Sequence, residues 1–180
     1  MPDQSFNYYS VDASVMISLK DMGPHDILKP VWDEVSRLVS NGRWKIFENV
    51  ADEIHDEIVQ RWLAENDAAI VKFNPEINEY MNKLMADLQT NSITLINPMS
   101  LKNKEDPFVI MIGLYLEKRD LNDLKKKVGN ETCCILTNEE PRENKVNIPY
   151  VCKYYDIPYM NLPGFMRHHS WRITLDVQRP

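Results

Sequence analysis

The sequence predicts an α/β fold, with a mostly parallel central sheet and helices on both faces. Three observations predict it. Apolar runs with β-propensity fall at 7–11, 44–47 and 133–137, and helical periodicities separate them. The run Cys133-Cys134-Ile135-Leu136-Thr137 is continuously apolar, the mark of a strand buried on both faces of a parallel sheet. The segment from Phe108 to Lys118 is apolar almost all round, which puts a helix in the middle of the fold.

Each element has its own justification. Asn7 to Val11 is a strand by the β-propensity of Tyr8, Tyr9 and Val11. It ends at Asp12, and Ala13-Ser14-Val15-Met16-Ile17 opens a helix. Leu28, Val31, Trp32, Val35, Leu38 and Val39 recur at helical spacing; Pro30 suits the first turn and Gly42 stops the helix. Trp44 to Phe47 is a second strand. Asn49 is an N-cap for one helix whose buried face is Val50, Ile54, Ile58, Trp62 and Leu63. Asn74-Pro75 is a cap followed by an N1 proline, and the helix behind it buries Ile77, Met81, Leu84, Met85 and Leu88. Ser92 to Asn97 is an extended connection. Asp106-Pro107 repeats the cap-and-proline pattern. Arg119 to Glu131, with Lys125-Lys126-Lys127, reads as a solvated helix face. Ile148-Pro149 opens a short helix through Tyr155, Asp156-Ile157-Pro158 breaks it, and Tyr159 to Leu162 is a last strand.

The 180 residues suit a single domain spanning 1–180, long enough to bury a core without staples. Apolar residues at 43% and charged residues at 27% exclude collagen-like, disordered and disulfide-scaffold classes. No apolar stretch reaches the roughly 18 residues of a membrane span, so no membrane partner is expected. Met1-Pro2-Asp3-Gln4 lacks a basic region followed by an apolar one, so no signal peptide is expected. Cys133, Cys134 and Cys152 read as small core residues in a reducing cytoplasm. A net charge of −6 makes the chain a poor coat for nucleic acid, yet a nuclease site can itself need carboxylates to hold metal.

Ligands of an open parallel sheet bind beyond the carboxyl ends of its strands, so acids at those ends matter most. Asp12 ends the first strand and Glu139 lies just past 133–137. Asp106 caps the helix before that strand. Glu53 follows the second strand, and its neighbours Val50 and Ile54 turn it partly inward. Clustered carboxylates repel one another, and a divalent ion removes the conflict. Oxygen donors without His or Cys select Mg²⁺ or Mn²⁺, which promote in-line attack on phosphate. Singly, Asp12 and Asp106 have an alternative as helix caps.

Four short motifs resemble those of PIN domains, in order and separation, over nearly the whole chain. Tyr9-Ser10-Val11-Asp12-Ala13-Ser14 is similar to the opening strand, Asp, small residue and Ser or Thr. Val50-Ala51-Asp52-Glu53 resembles the second motif, Glu105-Asp106-Pro107-Phe108 the third, and Ile135-Leu136-Thr137-Asn138-Glu139 the fourth. The tail from Ile148 to Arg167 resembles a PIN-like prokaryotic subfamily grouped with toxins of toxin–antitoxin pairs. The resemblance implies a three-layer α/β/α fold and metal-dependent cleavage of RNA, with Mg²⁺ or Mn²⁺ as cofactor. It carries over to Asp12, Glu53, Asp106 and Glu139 as ligands, with Ser14, Thr137 and Asn138 around them. It also implies an antitoxin partner and a homodimer. Two departures stand out. Glu139 occupies a place where many PIN domains have Asp, with Glu140 or Asn138 as alternates, and Arg119 to Glu131 is longer than usual.

Arg167 and Arg172, beside His168 and His169, form a basic patch to be weighed as a phosphate contact. Tyr150, Tyr154, Tyr155 and Tyr159 are candidates for base stacking, although packing on the sheet explains them as well. The competing function is a PIN-like protein-binding module without activity. A haloacid-dehalogenase-type phosphatase is disfavoured because Ser14 stands two places after Asp12. A dinucleotide enzyme is disfavoured because none of the five glycines forms Gly-x-Gly.

Overall fold

A computed structural model describes residues 5–23, 25–96, 104–143 and 145–172. In chain order the described elements are β1 Tyr8–Val11, α1 Ala13–Met22, α2 Lys29–Ser40, β2 Trp44–Phe47, α3 Glu48–Asp52, α4 Glu57–Glu65, β3 Ile70–Val71 and α5 Pro75–Thr90. There follow α6 Asp106–Leu116, β4 Arg119–Asp120, β5 Asp123–Lys127, β6 Cys133–Leu136, α7 Ile148–Tyr155, β7 Tyr159–Met160 and α8 Leu162–His168. The five-stranded sheet runs β3-β2-β1-β6-β7, and every pairing in it is parallel. With helices on both faces, the architecture is three-layer α/β/α. No described helix is long and apolar enough to cross a membrane.

Strand alternation assigns the two faces. Tyr9 and its register partner Trp44 both meet Phe165 of α8 edge-on, at 5.0 and 5.4 Å between ring centroids. Ser10, one residue on, points the other way and donates its hydroxyl to the Val109 carbonyl of α6 at 2.8 Å. α6 packs on β1, β2 and β6, and α5 covers it in turn. Its residues Val109 to Leu114 are all buried, as an all-round apolar helix requires. Gly113 permits this approach, because a Cβ there would lie 3.2 Å from Ile135 Cδ1.

Local chemistry explains most boundaries. α2 ends in a Schellman turn: Arg43 N–H reaches the Leu38 carbonyl, Gly42 N–H reaches that of Val39, and Gly42 takes φ 71°. Asn74 caps α5 by accepting Ile77 N–H at 2.9 Å, and Asn147 caps α7 by accepting Tyr150 N–H at 3.2 Å.

Several expectations are corrected. The helix expected from Asn49 to Leu63 is two helices, α3 and α4. Asp56 breaks it by capping α4, accepting Ile58 and Val59 N–H, and the bend leaves Ile58 40% exposed. Asn49 lies inside α3 rather than before it. Met85 is exposed, and Tyr80 takes its place on the buried face of α5. Leu162 begins α8 rather than ending a strand. Arg119 to Glu131 holds an antiparallel hairpin, β4–β5, instead of a helix. Its anchor is buried: Arg119 donates through Nε and Nη2 to Glu117 Oε2, and Lys127 Nζ lies 2.7 Å from Glu117 Oε1. The three cysteines are buried free thiols, and burial pushes all three pKa values up. Asn97 and Met1 to Gln4 lie outside the described residues.

Candidate active site

Strands β2 and β3 lie on one side of β1 and strands β6 and β7 on the other. The chain therefore leaves the carboxyl ends of β1 and β6 in opposite directions, which opens a crevice between them. Val11 pairs with Leu136, and Asp12 N–H bonds the Leu136 carbonyl at 2.9 Å. Asp12 and Thr137 thus face each other across the mouth of the crevice.

A hydroxyl–amide network fixes Asp12. Ser14 Oγ donates to Asp12 Oδ2, and Thr137 Oγ1 donates to the same oxygen at 2.9 Å. Asp12 occupies the N-cap position of α1, but its carboxylate is spent on these hydroxyls and makes no capping bond. Asn138 braces the arrangement from β6. Its N–H reaches Ser14 Oγ at 3.1 Å, and its Nδ2 donates to the Ser14 carbonyl at 2.9 Å and Ser18 Oγ at 2.7 Å. Its Oδ1 accepts Leu162 N–H at 3.1 Å, so one side chain joins β6, α1 and α8.

Electrostatics single out the same place. Burial pushes the Asp12 carboxyl above the usual range, the Ser14 and Thr137 hydroxyls pull it back, and the Glu139 charge raises it again. The net shift is upward, so the unfavourable causes win. Glu53 is also raised, first by burial of its carboxyl, then by the charges of Glu105 and Asp12, against Lys104 and His55. As a residue Glu53 is exposed, while its carboxyl stands within reach of the charges of Glu105 and Asp12. It stands at the C-cap of α3, where the rim of the site is open.

Asp106 is the first residue of α6 and is 9% exposed, with Glu105 before it in the N-cap position. Phe108 stacks on Phe47 at the end of β2 and the Val109 carbonyl accepts from Ser10 of β1, so the start of α6 lies by the carboxyl ends of both strands. Glu139 is differently engaged. Its Oε2 accepts Ile148 N–H at 3.0 Å, in the first turn of α7, and its Oε1 lies 3.8 Å from Lys145 Nζ. A polar cleft beside it is lined by Asn138, Glu140, Arg142 and Asn147.

A family model described as a domain of unknown function, DUF4411, matches residues 9–121 and 124–173. The chain belongs to the DUF4411 family. The match spans all the acids named above, from Asp12 to Glu139. No curated protein and no solved structure matches the chain.

In this DUF4411 chain the donor set fits a hard divalent cation in chemistry: carboxylate oxygens, with no Cys or buried His among them. Among the described residues, no three His, Cys, Asp or Glu side chains stand close enough to form a ready-made cage. Sequence reasoning missed Glu105, whose side chain is 13% exposed and whose charge acts on Glu53. The signal was present, since it adjoins Asp106; the cap expected at Asp106 is corrected, because Glu105 holds the N-cap position and Asp106 lies inside α6. Arg167 and Arg172 stand elsewhere. α8 starts at Asn138 and ends with His168 against Phe6, which precedes β1, so both arginines lie near the opposite edge of the sheet. Of the tyrosines, Tyr155 is buried, Tyr154 lies under Lys125 Nζ at 3.7 Å and Tyr150 is exposed.

Proposed function

We propose that this chain is a metal-dependent endoribonuclease of PIN type, acting as the toxin of a toxin–antitoxin pair. The observation that carries the reading is the fixed Asp12 carboxylate at the crevice mouth. It is held by Ser14 and Thr137 from two different strand ends and raised in pKa amid other acids. Carboxylates acting on one another by charge carry a cost that a divalent ion offsets. Asp12, Glu53, Asp106 and Glu139 would hold Mg²⁺ or Mn²⁺, which when bound supplies positive charge to the oxygens of a scissile phosphate. The chain's own residues do the positioning. Ser14 and Thr137 direct Asp12, and Asn138 keeps the two strand ends in register. An antitoxin would carry Arg or Lys into the same acidic crevice.

The test is cleavage of a mixed RNA pool with and without Mn²⁺ or Mg²⁺, beside Asp106→Asn and Asp12→Asn. Metal-dependent cutting that both variants lose is the expected result. Equal cutting by wild type and both variants would sink the assignment.

A second reading, an inactive PIN-like protein-binding module, is favoured by one observation. The Glu139 carboxylate is engaged by α7 and Lys145 rather than left open to the crevice. Calorimetry with Mn²⁺ separates the two, because the module binds no metal at these acids.

A further inference from the structure

We propose that Phe73 is a stacking platform for a base of single-stranded RNA beside the acidic crevice. The choice of ligand rests on the ribonuclease reading above. Phe73 follows β3 and is 45% exposed. An exposed apolar side chain alone means little. This one is fixed in place and set among the acids.

Three rings meet at the carboxyl edge of the sheet. Phe47 and Phe108 stack at 4.9 Å with 16° between their planes. Phe73 meets Phe47 edge-on at 4.8 Å and Phe108 at 6.0 Å. Glu48 Oε1 accepts Phe73 N–H at 2.8 Å, which pins the backbone under the ring. Phe47 is buried, so Phe73 is the member of the cluster that faces solvent most. The other two rings tie the cluster to the site. The β1–β2 register, Tyr9 with Trp44 and Ser10 with Lys45, continues to set Asp12 beside Phe47. Phe108 is two residues from Asp106. Strands lie about 4.8 Å apart, so β3 runs about 10 Å from β1. A base on Phe73 and a phosphate at Asp12 can therefore belong to neighbouring nucleotides.

Charge supplies the reason for a platform. A chain of net charge −6 cannot grip RNA by counterion release alone. Its most basic run is already committed: Lys125 lies over Tyr154, Lys126 pairs with Asp120 at 3.3 Å, and Lys127 pairs with Glu117. Base stacking needs no net charge and tolerates any sequence. Lys72, exposed beside Phe73, adds a phosphate contact.

The experiment measures binding of a short, fluorescein-labelled single-stranded RNA by anisotropy in EDTA, which removes cleavage from the readout. Wild type, Phe73→Ala, Phe73→Leu and Phe73→Trp are compared, each with the same strand and with an abasic counterpart. Leu keeps the apolar cover over Phe47 but offers no π face, so a packing defect does not mimic the effect. The expected result is binding weaker by about 5- to 150-fold in Ala and Leu, the span of one lost base–aromatic stack. Trp binds at least as tightly as wild type, with indole emission quenched by RNA. The abasic strand binds wild type and Leu alike. Wild-type affinity in Phe73→Leu, indifference of wild type to the abasic strand, or no RNA binding at all overturns the proposal. Parallel cleavage assays with Mn²⁺ keep the two readings apart. Base-dependent binding through Phe73 in a chain that never cuts sinks the nuclease and leaves the platform. Cutting with unchanged affinity in Leu does the reverse.

Discussion

Replacing Asp12 by Asn should stabilise the metal-free protein while weakening its response to metal. The sign follows from the Asp12 carboxyl, whose pKa is raised by burial and by Glu139 despite two hydroxyl donors. A carboxylate with a raised folded pKa destabilises the fold once ionised. The native state holds the proton to a higher pH than the unfolded chain does, so stability falls as pH rises through that window and the penalty is complete once the folded carboxyl is ionised. Asn accepts the same bonds from Ser14 and Thr137 through its oxygen, but as a neutral group. Each charge-assisted bond, worth about 1.5–3 kcal/mol, falls to about 1 kcal/mol. Against that loss stands the relief of a partly buried charge, worth several kcal/mol. The raised pKa says relief is the larger, so a net gain of about 1 kcal/mol is expected, or about 2–4 °C in Tm for a chain of this size. Metal acts oppositely: Mn²⁺ at one hundred times its Kd should stabilise wild type by about 2.7 kcal/mol, and the variant by much less. Thermal unfolding in EDTA and in Mn²⁺, at pH 7, reads both effects. A variant less stable than wild type in EDTA would show that the carboxylate serves the fold. An equal Mn²⁺ shift in both proteins would remove Asp12 from the ligand set.

Three other outcomes follow from the same geometry. Arg119→Met leaves the fully buried Glu117 with Lys127 as its one ion-pair partner, beside the Cys133 N–H, so about 3–5 kcal/mol should be lost in urea unfolding. Pairing it with Glu117→Leu should restore most of that loss, and no recovery would mean the ion pair is not the hairpin's anchor. Asn138→Ala removes side-chain bonds to Ser14, Ser18 and Leu162, at about 1 kcal/mol each. Its Tm should fall, and metal-dependent cleavage should fall further than the Tm loss accounts for; activity tracking stability alone would refute a positioning role. His169 is held near pKa 4 by burial first, then by the charges of His168 and Arg43, while its Nε2 lies 2.8 Å from the Tyr9 hydroxyl. The unfolded chain binds this proton near pH 6.5, so stability is full above that and falls as pH drops towards 4. Partial exposure limits the effect to roughly 2 kcal/mol. His169→Phe should flatten the Tm–pH slope between pH 7 and 5, and an unchanged slope would place the titration elsewhere.

Much of the fold was legible because its elements carry strong local signals. The Asn74-Pro75 cap, the Ile148-Pro149 helix start, the Gly42 stop and the apolar run at Cys133 each state their structure in a few residues. The failures have two causes. Arg119 to Lys127 is charged along its length, and a charged stretch has no period to separate helix from hairpin. What decides it is Glu117, buried on the preceding turn, which gathers Arg119 and Lys127 and thereby folds one strand onto the other. That interaction is tertiary. The break at Asp56 is local instead: its cap bonds to Ile58 and Val59, two and three residues on, win over the apolar spacing that joins Ile54 to Ile58.

The site divides along the same line. Asp12 could be placed at a strand end from sequence, but its role could not, since a helix cap and a site carboxylate put the same residue at the same position. The deciding group is Thr137, 125 residues away, whose hydroxyl ties the carboxylate to the end of β6. Glu139 shows the converse. Its motif position matches a ligand, yet in the metal-free chain its carboxylate takes an N–H on α7 and a lysine and acts on Asp12 by charge across the crevice. Glu105 sits where no motif asks for an acid, yet its charge falls on Glu53. The acidic field at the crevice therefore comes from charges that sequence spacing sorts incompletely. Asp12, fixed by hydroxyls from both strand ends, is the member whose position the fold determines most completely.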